Sequence, residues 1–305
     1  MKHYQLRALV AIADHGGIHA AARALFLSQP AITKAMRELE QEVGLPLLLR
    51  KSRGVTLTPA GQTLLTRARM IVRELERAEE DLANLKGNIG GRLAIGVTPL
   101  AGLTILPQAF AKFRASSPEI ELSFFEYSSD QIYDNLKNGS LDFAVGALAE
   151  ERISLPTGST ELLSLPTSLA IRKGSRYASS RSLAELQDLE WLHTDLTGRH
   201  NLFLGELFAS HGLRPPRRIT RCSSQSLFYQ LAMQNDVVIY WSQLALSAPI
   251  LQAQFETIHI NAKLPDLKLN LMIREDGLLT RAAEYFIQCV QQVAAQHTQQ
   301  SSIRT

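Results

Sequence analysis

The strongest constraint on the fold of this chain is a heptad repeat within residues 59–86. Its apolar positions are spaced alternately four and three residues apart, at Leu64, Ala68, Ile71, Leu75, Ala78, Leu82 and Leu85. This spacing predicts one long helix with a narrow apolar seam of the coiled-coil kind. A single helix cannot bury such a seam by itself. We therefore expect either a second copy of the chain or the body of the same chain to cover it.

This helix separates a basic head from a mildly acidic body. The first 73 residues contain eleven basic and four acidic side chains, a net charge of +7, which leaves −4 for the remainder of the 305-residue chain. A basic head predicts contact with a polyanion, although a basic surface that is merely solvated would show the same imbalance. Hydrophobic residues are 45% and charged residues 20%, as in ordinary globular proteins.

Several classes of protein are excluded by what the sequence lacks. No stretch approaches the ~20 apolar residues of a membrane span, and the N-terminus has no uninterrupted apolar segment of a signal peptide. Cys222 and Cys289 are too few and too far apart for a disulfide framework or a CxxC site. The sequence contains no GxSxG, phosphate-loop or HExxH motif. We expect a cytoplasmic protein that is not an enzyme and needs no cofactor, metal or membrane.

The head reads as three short helices followed by a hairpin. Apolar periodicity and caps predict helices over 2–14, 18–25 and 29–43, with Ser28 as the N-cap of the third. Two short strands within 47–58 surround a basic tip. The second and third helices have the lengths of a helix-turn-helix unit. The third helix should bury the face formed by Ile32, Met36, Leu39 and Val43.

The opposite face of the third helix carries side chains suited to DNA. Glutamine reads adenine, threonine offers a hydroxyl and a methyl group, and lysine or arginine contacts guanine or phosphate. Basic side chains of the hairpin suit the minor groove or the phosphate backbone. For Arg37, pairing within its own helix is an equal alternative. The predicted DNA-binding residues are Gln29, Pro30, Thr33, Lys34, Arg37, Arg50 and Arg53.

These residues belong to a longer pattern that resembles a known family. The pattern comprises Ala21-Ala22-x-x-Leu25-x-x-Ser28-Gln29-Pro30-Ala31-Ile32-Thr33, Leu39-Glu40-x-x-Val43-Gly44, Leu47-Leu48-x-Arg50 and Arg53-Gly54-Val55-x-Leu57-Thr58-x-Ala60-Gly61. Over about the first 60 residues it resembles the N-terminal signature of LysR-type transcriptional regulators. Thr33 stands where the family usually has Ser, and Leu48 where it usually has Phe. Both changes affect sequence preference more than function.

The resemblance implies a winged helix-turn-helix domain over 1–58, a linker and dimerisation helix over 59–87 and an effector-binding domain over 88–305. From residue 92 onward, strands alternate with helices, which independently predicts a mostly parallel α/β architecture. The family's effector domain has two lobes, similar to periplasmic binding proteins. We expect lobe I to comprise 88–161 and 267–305, and lobe II to comprise 162–266.

The resemblance also implies partners. These are double-stranded promoter DNA, a second copy of the chain in a homodimer, a tetramer built as a dimer of dimers, and RNA polymerase. It implies activation or repression of a nearby operon and of the regulator's own gene. Two other classes stay open at this point: a solute-binding protein with an incidental basic head, and an α/β enzyme with a DNA-binding extension.

The effector is expected between the lobes, where strands end and helices begin. Hydroxyl groups cluster at three such points, and helix starts favour anions. The predicted effector-binding residues are Thr98, Pro99, Ser128, Ser129, Ser223 and Ser224, which suit a small, anionic organic molecule. The serines equally fit ordinary N-caps, since Ser is among the residues most favoured there. Cys222 fits a core position better than a redox sensor.

Charge is polarised along the long helix. The first two-thirds of the helix contain most of its arginines, which are Arg67, Arg69, Arg73 and Arg77, and the later part contains Glu74, Glu76, Glu79, Glu80 and Asp81. Acidic residues near a helix C-terminus oppose its dipole, so stability of the isolated helix does not explain them. Antiparallel pairing of two copies would bring each basic half against an acidic half. We therefore expect an antiparallel homodimer with Ile71 and Leu75 near its centre.

Overall fold

The computed structural model describes residues 1–51, 54–85, 90–147, 157–194, 199–274 and 277–303. It describes the backbone alone at 50, 51, 81, 84, 85, 157, 199–201 and 300–303. The head and linker contain α1 (His3–His15), α2 (Ile18–Ala24), α3 (Gln29–Val43), β1 (Leu48–Lys51), β2 (Gly54–Leu57) and α4 (Pro59–Leu85). The body then contains β3 (Arg92–Val97), α5 (Pro99–Leu103), α6 (Leu106–Ser116), β4 (Glu121–Glu126), α7 (Ser129–Lys137), β5 (Phe143–Ala147), β6 (Thr157–Leu165), β7 (Thr167–Arg172), β8 (Glu190–His193), α8 (Arg199–Ala209), β9 (Arg218–Arg221), α9 (Gln225–Gln234), β10 (Val237–Ser242), α10 (Gln243–Leu246), α11 (Pro249–Gln252), β11 (Phe255–Ile258), β12 (Leu267–Arg274) and α12 (Arg281–Ile303).

The head is built around one apolar core shared by α1, α2 and α3. Leu9 of α1, Ala21 of α2 and Leu39 of α3 are fully buried in it. Helix α3 ends at Gly44, whose φ of 73° is left-handed and costs glycine little. Strands β1 and β2 pair antiparallel and form the predicted hairpin, or wing.

Helix α4 begins as part of the head. Its side chains Leu65, Ala68 and Val72 are buried in the same core as α1 and α3. With 27 residues and a rise of about 1.5 Å per residue, the helix is roughly 40 Å long. Its second half therefore extends beyond the head and reaches the body.

The body consists of two lobes, each with a five-stranded sheet. The sheet of lobe I has the order β4-β3-β5-β12-β6, and that of lobe II the order β11-β7-β10-β8-β9. Each sheet combines parallel pairs with antiparallel ones, such as β3 with β5 and β12 with β5. One apolar core continues across both lobes, from Phe286 in lobe I to Trp241 in lobe II. The predicted two-lobed α/β architecture is confirmed, but the prediction that it is mostly parallel is wrong, because each sheet has two parallel and two antiparallel strand pairs.

Details of the body differ from the sequence expectation. The boundary predicted at 161/162 cuts through β6, which pairs along its whole length with β12 in lobe I. The chain instead crosses between the sheets at Pro166, which lies between β6 and β7. Strand β6 starts with Thr, Gly, Ser and Thr, so its first half shows no alternation of apolar and polar residues. The C-terminal helix, α12, runs from Arg281 to Ile303.

Candidate DNA-binding and effector-binding sites

Helix α3 buries one face and exposes the other. Ile32, Met36 and Leu39 are buried, and Val43 packs against the same core, which confirms the predicted core face. On the opposite face, exposed except for the half-buried Thr33, lie Gln29, Pro30, Thr33, Lys34 and Arg37. A 3.6-residue period produces this division because the core face recurs every three or four residues.

The N-terminal end of α3 is open to solvent. The N–H group of Ala31 donates to Ser28 Oγ at 3.3 Å, so Ser28 is the predicted N-cap. Lys34 Nζ lies 3.9 Å from Glu38 Oε1 in an exposed i,i+4 pair. Within the described part of the chain, no ion pair or side-chain hydrogen bond involves Arg37. The predicted alternative of pairing within the helix is not seen there.

Glu40 fixes the wing relative to α3. Its Oε1 accepts hydrogen bonds from the N–H groups of Leu47 at 2.8 Å and Leu48 at 3.0 Å. The sequence showed Glu40 only as part of a motif, and the structure supplies its physical role. The side chain of Arg50 and the whole of Arg53 lie outside the described residues, so their contact with DNA stays a prediction.

Thr58 and Gly61 join the wing to α4. Thr58 Oγ1 donates to the carbonyl of Pro46 at 2.7 Å and accepts from the N–H of Gly61 at 2.9 Å. A Cβ on Gly61 would lie 2.2 Å from the carbonyl oxygen of Leu47. Only glycine lets the backbone of α4 approach the wing this closely.

In lobe I, two of the predicted effector-binding residues meet at the end of β5. The N–H of Ala147 donates to Thr98 Oγ1 at 3.2 Å, and Ser129 Oγ donates to the carbonyl of Ala147 at 3.0 Å. Thr98 is only 7% exposed. Pro99 is the first residue of α5. The structure thus places these residues at one edge of the sheet, but both hydroxyls already serve the lobe's own backbone.

The other predicted serines lie at helix starts. Ser128 Oγ accepts from the N–H of Gln131 at 3.4 Å, and Ser224 Oγ accepts from that of Leu227 at 3.4 Å. Both are therefore N-caps, the alternative that the sequence left open. Ser223 is exposed beside Ser224. Cys222 is buried, and its thiol donates to the carbonyl of Ser224 at 3.2 Å.

Comparison with known families decides what this arrangement is. The family model "Bacterial regulatory helix-turn-helix protein, lysR family" matches residues 3–62. The model "LysR substrate binding domain" matches residues 86–295. The chain belongs to the LysR family of DNA-binding transcriptional regulators.

Relatives from this family are similar to the chain along most of its length. The transcriptional regulator TdcA of Escherichia coli K12 is 25% identical over 280 residues, which are 92% of this chain and 89% of TdcA. The hydrogen peroxide-inducible genes activator of Pectobacterium carotovorum subsp. carotovorum is 33% identical over 182 residues, 59% of each chain. Such relatives are transcriptional regulators rather than enzymes.

Solved LysR-family structures share the fold. CbnR in complex with its target DNA has a TM-score of 0.68 and 22% identity, covering 96% of this chain and 100% of CbnR. A full-length OxyR variant from Pseudomonas aeruginosa also has a TM-score of 0.68, with 18% identity, covering 96% of this chain and 94% of that one.

In this LysR-family chain, one part of the apolar seam of the linker helix is buried in the head and the other part is exposed. Ala68 is fully buried and Leu64 partly buried in the head of the same chain. The expectation that Ala68 meets a partner helix is therefore wrong, because its surface is already covered. Further along, Ile71, Leu75 and Leu82 are 43%, 40% and 59% exposed. Ala78 is exposed too, and the side chain of Leu85 lies outside the described residues.

The arginines of the linker helix bind within the same chain. Asp142, next to β5 in lobe I, accepts from Arg73 Nη2 at 3.2 Å and from Arg77 Nη2 at 2.7 Å. All three side chains are buried, and Asp142 also accepts from the N–H of Ala94 at 2.7 Å. Burial by itself would lower the pKa of Arg77, but the hydrogen bond and charge of Asp142 raise it above its ordinary value.

These contacts correct the charge argument for the linker helix. Arg69 binds Asp14 of the head, and Arg73 and Arg77 bind Asp142, so three of its four arginines already have partners within the chain. They are not free to meet the acidic half of a second helix. The charge pattern of the linker helix therefore does not support antiparallel pairing.

Two cavities lie outside the predicted effector residues. One of about 520 Å³ lies between the head, α4 and lobe I, with Arg7, Arg69 and Arg92 in its wall. Another of about 310 Å³ lies in lobe II, lined by residues such as Ser168 and Gln243. None of the six predicted effector residues lines either cavity.

Among the residues that the structure describes, no group of His, Cys, Asp and Glu side chains is arranged to hold a metal ion. None of their helices is both long enough and apolar enough to cross a membrane.

Proposed function

We propose that this LysR-family protein regulates transcription by binding promoter DNA through α3 and the wing. The main support for this proposal is the exposed, polar face at the N-terminal end of α3. The other face of the same helix is held in the core of a head with a net charge of +7. A recognition helix needs one face that is fixed in the core and an opposite, exposed face that can contact the bases.

Each side chain on the exposed face has a role that its chemistry supports. Gln29 is the first residue of α3 and can pair with both the donor and the acceptor of adenine. Thr33 lies one turn later and offers a hydroxyl and a methyl group. Lys34 and Arg37 contact guanine or phosphate. The wing arginines Arg50 and Arg53 grip the backbone or minor groove.

The test uses an operator selected from random DNA by the full-length protein. Gln29→Ala and Thr33→Ala should each reduce preference for the selected site by about 1–3 kcal/mol, with non-specific binding nearly unchanged. Gln41→Ala is the matched control, since Gln41 is exposed at the far end of α3. Equal losses on selected and random DNA would contradict the assignment of base readers.

Loss of a basic side chain from the wing should have a different effect on DNA binding. Arg53→Ala should weaken binding to all DNA and reduce the salt dependence of the binding constant by roughly one unit, because one phosphate contact is lost. Titration at several salt concentrations measures this slope.

We propose further that the protein acts as an antiparallel homodimer through α4. The support is the exposed apolar row of Ile71, Leu75, Ala78 and Leu82, which has no cover within the described chain. Antiparallel helices send the two heads to opposite ends, as separated half-sites require. A tetramer formed as a dimer of dimers, acting on RNA polymerase at promoters in the cytoplasm, completes the proposed assembly.

The proposed signal is a small organic acid bound between the lobes. Thr98, Pro99, Ser128 and Ser129 would approach it from lobe I, and Ser223 and Ser224 from lobe II. The support is their position at strand ends, where α/β proteins bind ligands. Thr98→Val should lower ligand affinity at least tenfold, and Thr98→Ser should retain it. A thermal-shift panel of organic acids measures both. Equal responses of the two variants would place the ligand elsewhere.

The signal reaches the head through β5 and α4. Strand β5 ends at Ala147, which bonds to Thr98 and Ser129. It begins beside Asp142, which holds Arg73 and Arg77 of α4. A ligand that shifts one end of this strand would change the hold on the linker helix at the other.

A further inference from the structure

Phe26, between α2 and α3, has a backbone conformation that is unfavourable for its side chain. Its φ is 54°, and it is the only residue other than glycine with a positive φ in the part of the chain that the structure describes. This left-handed conformation is an outlier for a bulky residue, because the Cβ crowds the carbonyl oxygen that follows. The position therefore favours glycine rather than phenylalanine.

Backbone hydrogen bonds fix this conformation. The N–H of Phe26 donates to the carbonyl of Arg23 at 3.1 Å, and the N–H of Leu27 donates to the carbonyl of Ala22 at 2.9 Å. This pair of bonds is the Schellman motif, which ends a helix and usually has glycine where Phe26 stands. The strain thus belongs to the turn between the two helices and would be absent with glycine.

The Phe26 ring does not compensate for this strain by packing inside the protein. It is 97% exposed, more than any other large hydrophobic side chain among the described residues. An apolar side chain stabilises a fold through the surface that it removes from water, and this ring removes almost none. Folding of the head therefore explains neither the strained backbone nor the aromatic side chain.

The ring lies next to the face of α3 that is proposed to bind DNA. Phe26 is three residues before Gln29, so their Cα atoms are at most about 11 Å apart. Residues 26–31 are exposed without interruption. Four of these six residues are apolar, namely Phe26, Leu27, Pro30 and Ala31. An apolar, exposed segment thus continues directly into the first turn of the proposed recognition helix.

The major groove offers such a segment one kind of apolar partner. A thymine displays its 5-methyl group there, and phenylalanine is among the side chains that contact it. Phosphate oxygens instead bind basic side chains, hydroxyls and N–H groups, none of which the Phe26 ring has. The chemistry of the ring therefore favours a base over the DNA backbone.

We propose that Phe26 is a specificity-determining residue that contacts a thymine 5-methyl group at the edge of the operator half-site. The inference rests on the proposed function and adds an apolar contact to the polar ones of Gln29 and Thr33. Strained residues persist where the surrounding structure fixes them, and they cluster at binding sites. The contact gives the strained, exposed ring a role that the free head does not provide.

The test is a uracil scan of the selected operator, since uracil differs from thymine only by the missing methyl group. Each thymine of the half-site is replaced in turn, and fluorescence anisotropy measures the affinity of the full-length protein at a fixed salt concentration. At one thymine, uracil should weaken binding of the unmodified protein about fourfold, the effect of one buried methyl group. In Phe26→Gly, the same replacement should have no effect.

Two variants separate a DNA contact from a structural role. Phe26→Gly removes both the ring and the strain, so the free protein should melt no earlier than the unmodified one. Its affinity for the selected operator should nevertheless fall at least about fourfold. Leu278→Gly is the matched control, because Leu278 is 78% exposed in the body, and it should leave operator binding unchanged.

Three results would overturn the inference. They are unchanged operator affinity in Phe26→Gly, persistence of every uracil effect in that variant, and earlier melting of the free variant, which would assign the ring to folding. None of them alters the outcome of the experiment on Gln29 and Thr33. Equal losses on selected and random DNA in that experiment would instead remove the proposed function on which the inference rests.

Discussion

Replacing Asp142 should loosen the linker helix from lobe I. The carboxylate accepts from two buried guanidinium groups, those of Arg73 and Arg77, and from the backbone N–H of Ala94. Its side chain is only 2% exposed. Asp142→Asn keeps an oxygen for Ala94 but removes the negative charge. Asp142→Ala removes both.

The size of the effect follows from these contacts. Breaking a buried ion pair by removing one partner costs about 3–5 kcal/mol, because the remaining charge is left uncompensated. Here Arg73 keeps Glu80 at 3.4 Å and Arg77 keeps Glu74 at 3.1 Å. We therefore expect a loss of about 3 kcal/mol for Asn, at the lower end of that range. Alanine should cost at least about 1 kcal/mol more, since a buried N–H loses its acceptor.

Urea unfolding and hydrogen exchange of the full-length protein measure this loss. Exchange should rise in the part of α4 around Arg73 and Arg77 more than within the core of lobe I. The matched control is Glu161→Gln, which breaks an exposed pair with Lys268 at 3.7 Å. An exposed pair contributes no more than about 1 kcal/mol. If Asp142→Asn destabilises no more than Glu161→Gln does, the cluster does not hold the helix.

Other parts of the molecule make further predictions. Leu75→Asp should yield monomers in light scattering. It should change monomer stability by less than about 0.5 kcal/mol, because Leu75 is largely exposed in the single chain. A persistent dimer would refute the proposal that the seam forms the dimer interface. Gly61→Ala should lower the free energy of unfolding by about 1–3 kcal/mol in urea, because its Cβ would overlap the Leu47 carbonyl; an unchanged midpoint would refute this. The Tyr4 hydroxyl donates to the Glu38 carboxylate at 2.5 Å and lowers its pKa. Tyr4→Phe should therefore raise the pKa of Glu38 toward its ordinary value in an NMR titration. An unchanged pKa would refute this.

Local features of the head were predictable from the sequence. The division of α3 into a core face and an exposed face follows from the period of its apolar residues. The cap at Ser28 and the stop at Gly44 depend on residues within one turn of the helix. Such features involve neighbours in the chain, so their pattern is visible without knowing the fold.

The body was predictable in class but not in detail. Strands with continuous apolar runs, such as β3 and β5, were visible. Strand β6 was not, because its polar start resembles a loop and its pairing with β12 joins residues about a hundred positions apart. Because β6 does not stand out in the sequence, the predicted lobe boundary at 161/162 falls before the end of this strand.

By itself, the sequence determined the family, the helix-turn-helix unit and the side chains on the exposed face of α3. Only the tertiary structure decided which partners the long-range groups have. Arg73 and Asp142 are 69 residues apart, so no local period could show that they meet. The same holds for Ala68, which the head buries. Periodicity reports how a segment is oriented, whereas pairing and burial depend on which distant segment packs against it.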